Sequence, residues 1–328
     1  MQRMLHHGYV VPAPLRAPAV RRDHRLTLIG HSGIVFESPS SRVMLDPLFL
    51  VRARRDYNPI PAVLSEPLDA VIISHPHWDH LNFDSLVHLH PETEVVIPRL
   101  VHRPSISNLD MARMLRDFSF TRIVELEPWQ TARVGRGRDV EVTALPYYGE
   151  SVGLAPRDWM TVHVALGGRQ AVCLVDAARD PYGDADQVVQ EARRPFGRPD
   201  SLFAPASEFH YPLVHFNRIP FYLDRCFEVF TGGPTDVVRW ATFSGARLVI
   251  PYALFHLTPW DLENDDNACD ADVFRRGRVS TLAQRMRAAP DGPLCVMAPG
   301  DRLTWGGDER PLGRDIGDGV RLVQVLRA

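Results

Sequence analysis

Residues 71–82 read VIISHPHWDHLN, an apolar run that ends in His75, His77, Asp79 and His80. The wider stretch LDAVIISH is almost continuously apolar, which is the pattern of a strand buried on both faces, and it delivers the polar cluster at its C-terminal end. Side chains alternate along a strand, so His75 and His77 point the same way if the extended backbone continues through Pro76, and they form a two-pronged clamp. Asp79 and His80, reached after the chain turns, face a second point close by. One short loop thereby offers ligands to two cations. Trp78, inside the loop, reads as a packing wedge.

Upstream, RLTLIGHSGIVFES holds two short β-type runs around Gly30 and Gly33, and SRVMLDPLF adds a third that ends at Asp46-Pro47. Downstream, a helical pattern from Asp84 to His90 precedes the strand TEVVIP. The segment SNLDMARMLRDF reads as an amphipathic helix capped by Ser107 or Asn108, and TRIVEL returns to strand. In the second half DVEVTALPYYGE, WMTVHVALGG and QAVCLVDAARD are three strand-like segments expected to pair locally. A loop insertion around 178–234 separates them from a helix over Thr235–Ser244, the strand ARLVIPY, a helix near Ser280–Ala288 and a closing strand at LCVMAP. Two strand-rich halves that each carry helices predict two packed sheets flanked by helices. Residues 1–24 read as an arm on the surface of one domain spanning 25–328.

Composition narrows the function. Of 328 residues 45% are hydrophobic and 23% charged, ordinary globular values, and the net charge of -3 with a pI near 6.5 gives no reason to invoke nucleic acid or an anionic membrane. The expected partner is a small molecule. The four cysteines, Cys173, Cys226, Cys269 and Cys295, form no CxxC pair, which argues against a disulfide framework and fits a cytoplasmic location. No apolar run approaches membrane-spanning length. The acidic stretch ENDDNACDAD reads as an exposed loop of solvated charge.

HPHWDH matches the HxHxDH signature of the metallo-β-lactamase superfamily, and the order of segments from Arg25 to Trp305 resembles its lactonase-like and phospholipase-like branch. LTLIGHSG is similar to the family's opening strand pair, VMLDPLF to its DP turn, LVDAARD to the strand ending in a metal-bridging aspartate, and APGDRLTW to the closing segment. The resemblance implies an α/β fold, an αββα sandwich of two mixed β-sheets flanked by helices, with the site at one edge between the sheets. It also implies that His75 and His77 bind one metal, Asp79 and His80 the other, and that Asp176 touches both. Asp176 has support of its own, because a carboxylate closing the apolar run AVCLV suits a loop-lined site better than a core. Asp46 is expected to orient a histidine through its free ring nitrogen. His31 reads either as a second such outer residue or as an ordinary turn histidine.

Two places depart from the family pattern. Where most relatives carry a histidine after a strand ending in proline, this chain reads VTALPYYGE, and Glu150 is the strong ligand there. A carboxylate in place of an imidazole makes the first metal position harder and richer in oxygen, which suits iron or manganese better than zinc. The exchange resembles the diiron oxygenases of antibiotic biosynthesis, which hydroxylate an amino-acid-derived substrate. Where the last histidine usually falls stands Ala253; His256, three residues on, reaches the second metal if the loop bends, and otherwise the ligand comes from elsewhere. Glu208, His210 and His215 in SEFHYPLVHF suggest a pocket wall. Tyr147 and Tyr148 line the cavity or donate a phenolic hydrogen bond, with Tyr148 and Asp79 the candidate catalytic groups, and Arg179 either grips an anion or is solvated.

The reading is therefore a dinuclear, iron-dependent oxygenase acting on a small amino-acid-like or natural-product substrate with O2 and an electron donor. One rival is a zinc- or manganese-dependent hydrolase of a phosphodiester, lactone or amide, in which the metals activate water and Asp79 positions it. The other is a non-catalytic metal-binding scaffold.

Overall fold

The computed structural model describes residues 24–49, 59–105, 108–150, 157–206 and 231–253, with the short stretches 294–295, 297, 300, 302–305, 313–314 and 325–326. Its opening strands β1 (His24–Gly30), β2 (Gly33–Glu37) and β3 (Arg42–Leu45) form an antiparallel meander, joined in parallel by β4 (Ala70–Ile72), β5 (Glu94–Pro98) and β6 (Ile123–Leu126). Near the C-terminus, β16 (Arg302–Trp305) and β17 (Gly313–Arg314) extend this first sheet beyond β1.

In the second sheet β7 (Thr131–Val134), which the sequence reading did not anticipate, β8 (Val140–Pro146), β9 (Met160–Leu166) and β10 (Arg169–Cys173) pair antiparallel, the last three as the turn residues between them predict. Then β13 (Ser201–Pro205), β14 (Leu248–Tyr252) and β15 (Leu294–Cys295) continue in parallel, and β18 (Val325–Leu326) closes the edge. Among the described residues each sheet has eight strands, and a separate hairpin pairs β11 (Arg179–Asp180) with β12 (Gly183–Asp184).

Strand alternation builds three apolar layers. Phe36, Val43, Leu45 and Ile72 of the first sheet meet Val142, Val162, Val164 and Phe203 of the second in the central layer. Their strand neighbours Val35, Met44, Val71 and Ile73 face outward, under α1 (Pro59–Leu64), α2 (Phe83–Leu86) and α3 (Met111–Asp117). On the far side Leu145, Val172, Leu174 and Leu202 lie beneath α4 (Ala185–Phe196) and α5 (Pro234–Ser244). β4 is buried on both faces, which explains its unbroken run of apolar residues. The result is the expected αββα sandwich of two mixed sheets.

Local differences have local causes. The segment 178–234, expected as a loop, carries β11, β12, α4 and β13. Asp184 caps α4, and Ala185, Val188, Val189 and Ala192 form its buried stripe. The cap of α3 is Asp110, whose carboxylate accepts from the Arg113 amide. Asn108, expected at that cap, instead bonds Asp158 through its side chain. The helix expected over Asp84–His90 is the shorter α2, capped by Asn82. The acidic stretch, the helix near 280–288, Cys226 and Cys269 lie outside the described residues, whereas Cys173 and Cys295 are buried. Among the described residues no helix is long and apolar enough to cross a membrane.

Phe36 is fully buried between the sheets. Phe36→Ala is expected to lower unfolding stability by about 3–5 kcal/mol, read from denaturant unfolding with the slope unchanged.

Candidate dinuclear metal site

The site lies where strands from both sheets end. β3 runs into Asp46, which is wholly enclosed, and both its oxygens are used at the neighbouring strand end. Oδ1 accepts from the Ser74 amide and Oδ2 from the Ser74 hydroxyl, each at 2.8 Å. Oδ2 also lies 2.8 Å from His80 Nδ1. A carboxylate only accepts, so His80 Nδ1 carries the proton. The Ser74 hydroxyl has given its one hydrogen to Asp46, so at 3.0 Å it accepts from His75 Nδ1. His75 and His80 are therefore both held with Nε2 turned inward, the arrangement by which outer partners orient metal-binding imidazoles.

The loop between them is a tight turn in which the His80 and Leu81 amides donate to His77 O. It brings His77 Nδ1 to 3.2 Å from His75 Nε2; the strand ends at Ile72 and the backbone bends over residues 75–77, so this turn and not continued strand alternation sets the pair together. Trp78 sits at the outer corner of this turn and is 61% exposed, so it is not the packing wedge its sequence position suggests.

The second sheet supplies the acidic groups. After β8, Glu150 Oε2 lies 3.0 Å from His77 Nδ1 and 3.5 Å from His75 Nε2, and the Tyr147 hydroxyl donates to it at 3.1 Å. After β10, Asp176 Oδ2 lies 2.9 Å from His80 Nε2 and 4.0 Å from His75 Nε2, between the two halves of the cluster. From the turn joining β1 and β2, His31 Nε2 reaches Asp79 Oδ2 at 3.2 Å.

Two groups of residues that could hold a metal ion result: His75, His77 and Glu150, and beside them His31, Asp79, His80 and Asp176, with the ligand atoms of each group within 4.8 Å of one another. Asp46, Asp79, Glu150 and Asp176 are all buried. Carboxyl groups gathered in so little water are costly to charge alone, and cations bound beside them would offset that cost. The donor set thus fits two ions.

The electrostatics agree. Burial drives His75 well below its ordinary pKa, with the His80 and His77 charges adding, so it presents a lone pair. Burial would lower His80 as well, but Asp176, Asp46 and Asp79 outweigh it and hold that imidazole well above its usual value. The proton they stabilise sits where a bound cation would, which is how metal binding comes to release protons. Burial raises the Glu150 carboxyl against the His77 charge. Tyr147 is pushed well above the usual phenol value by burial and then by Glu150, so it stays a hydrogen-bond donor.

Tyr148, the neighbour expected to act here, points the other way. Adjacent strand residues face opposite sides, and its ring packs over Gly183 and beside the apolar layer under α4 and α5. Arg179 is exposed in β11. His256, Glu208, His210 and His215 lie outside the described residues.

Sequence reading missed Trp159, which stacks on His75 with ring centroids 4.8 Å apart and meets His77 edge-on at 4.8 Å. It also missed Arg157, whose guanidinium lies 4.3 Å from the Trp159 ring and donates to Glu150 O. Nothing in the spacing marks either. Ser74 was findable, being a hydroxyl set into an apolar strand immediately before the first histidine.

A family model described as a beta-lactamase superfamily domain matches residues 41–250, more than half of the chain. The chain belongs to the beta-lactamase superfamily, and its sandwich is the metallo-β-lactamase fold. Among curated proteins it is similar to the 4-amino-L-phenylalanyl-(CmlP-peptidyl-carrier-protein) 3-hydroxylase of Streptomyces venezuelae, 26% identical over 218 residues that make up 62% of this chain. The chain spans 39% of the length of the curated relatives it matches.

Of solved structures, it is similar to CmlA, a diiron beta-hydroxylase from Streptomyces venezuelae, with TM-score 0.57 and 19% identity over 76% of this chain and 47% of that one. It is also similar to Igni18, a novel metallo hydrolase from Ignicoccus hospitalis, with TM-score 0.60 and 13% identity over 88% of this chain and 100% of that one. These likenesses establish the fold.

Asp46 orients His80 without facing the candidate ions. Asp46→Asn, which keeps the shape and removes the charge, is expected to weaken cation affinity about 10–100-fold in a chelator competition, with all the inner groups still present.

Proposed function

We propose that the chain is a dinuclear iron enzyme that activates dioxygen and hydroxylates a small amino-acid-like substrate. The observation that carries this reading is the position of Glu150: its carboxylate is buried against His77 and His75, at 3.0 Å and 3.5 Å, rather than turned to solvent. Two imidazoles and a carboxylate, with the Asp176 oxygen alongside, form a nitrogen and oxygen set with no thiolate, the type that iron takes readily. When bound and reduced, an iron pair supplies the electrons for dioxygen chemistry at a substrate C–H bond.

The protein's own part is positional. Tyr147 fixes the Glu150 oxygen, and Trp159 covers His75 and limits water at the first ion. Arg157, beside both, adds positive charge at the edge of the site. An amino-acid-derived substrate is supported by the likeness to the Streptomyces venezuelae relative, a hydroxylase of an aminoacyl group, and iron by the likeness to CmlA, a diiron enzyme.

A zinc-dependent hydrolase is the second reading. It is supported by the fold likeness to a metallo hydrolase and by buried Asp79, which is suited to position a water.

Metal analysis with a visible spectrum separates the two. Protein purified without chelators is expected to contain about two irons per chain, to absorb in the visible when oxidised, and to consume O2 after chemical reduction, with Glu150→Ala losing iron. A colourless zinc protein that turns over a lactone or phosphodiester would establish the hydrolase instead.

A further inference from the structure

We infer that His31 is a direct ligand of the second cation, so that this ion receives an imidazole from the turn between β1 and β2 in the first sheet and not from the segment after β14. The inference rests on the two-ion reading of the site and goes beyond it by assigning the fourth donor.

The first support is metric. Donor atoms that surround one ion at about 2.1 Å stand roughly 3–4 Å from one another. His31 Nε2 to Asp79 Oδ2 is 3.2 Å, and His80 Nε2 to Asp176 Oδ2 is 2.9 Å. The four ligand atoms lie within 4.8 Å of each other, close enough to contract onto a single ion by small side-chain adjustments.

The second support is how the chain delivers the imidazole. Gly30 at φ 148 and His31 at φ 47 make a left-handed corner between the strands, a conformation costly for histidine. The corner turns the imidazole inward: the His31 side chain is 1% exposed, unlike that of a solvated turn histidine, and its ring meets His80 edge-on at 5.1 Å.

The third is what stands opposite. Ala253, itself at φ 56 where β14 ends, donates its amide to His31 O at 3.1 Å. The second sheet thus reaches this side of the site with a backbone N–H and a methyl group, and it locks in place the backbone that carries the imidazole. An outer role does not account for the geometry, because Asp46 and Ser32 already contact the outer nitrogen of His80, at 2.8 Å and 3.1 Å.

The test counts ions and imidazoles. Wild-type protein, His31→Asn, His256→Ala and the double variant His31→Asn with Ala253→His are loaded with Co2+. Asparagine tolerates the left-handed corner, so folding is preserved, and circular dichroism of each variant confirms it. His31→Asn is expected to fall from about two bound cobalts to about one, or to bind the second at least tenfold more weakly, with a changed visible spectrum. His256→Ala is expected to keep both, and Ala253→His to restore part of the second in the double variant.

His31→Asn binding two cobalts with wild-type affinity and spectrum overturns the inference, as does loss of the second ion in His256→Ala alone. Either result leaves the two-ion reading standing. Wild-type protein that binds no cobalt removes that reading, and this one with it.

Discussion

A carboxyl group with no exposure to water organises this molecule. Asp46 has no solvent to stabilise its charge, so its oxygens must be satisfied from within, and the groups that do so are the Ser74 amide, the Ser74 hydroxyl and His80. Hydrogen bonds to a charged group contribute about 1.5–3 kcal/mol each, whereas leaving such a charge buried and unpaired costs several. That asymmetry ties the end of β3 to the end of β4 and fixes the direction of the loop beyond. It also sets the tautomers of two histidines at once, because one hydroxyl proton given to Asp46 leaves Ser74 able only to accept from His75.

Around this anchor the backbone is held in conformations it would not otherwise adopt. His31, Asp46, Glu150, Val175 and Ala253 all have positive φ, and all stand at or next to the candidate ligands. Such residues cost about 1–3 kcal/mol each and persist where surrounding bonds over-determine them. Here Asp46 N donates to Ile72 O, Val175 N to the Tyr252 hydroxyl, and Ala253 N to His31 O. Five of the eight described non-glycine residues with positive φ thus lie at or beside the candidate ligands, and the other three, Ser119, Trp129 and Arg138, lie in turns elsewhere.

How much of this was legible follows from how local each cause is. The buried strand and its loop can be read directly, since an apolar run ending in HPHWDH leaves few other uses for three imidazoles. Asp46, Glu150 and Asp176 can be found because each closes an apolar segment where a core would not tolerate a carboxylate.

Tyr147 and Tyr148 could not be told apart, as the choice depends on the register of β8 as it leaves Pro146. The helix α4 was hidden by its charge: ADQVVQEARRPF offers only a narrow stripe of valine and alanine, with Pro195 in the last turn. His31 was undecidable because its use depends on a left-handed corner that no residue type announces. Trp159 and Arg157 come to the site through pairing of β9 with β8, which is long-range information.

The sheets also meet at the site through direct backbone bonds, from the Met160 amide to Ser74 O and from the Ala253 amide to His31 O. The ligand groups come from chain positions as distant as His31 and Asp176, with neither sheet holding a complete set. A chain that has formed only one sheet therefore lacks part of the candidate ligand set. Once in place, an ion coordinated from both sides acts as a rivet. An ion that binds only the closed sandwich would stabilise it by mass action against the parting of the layers.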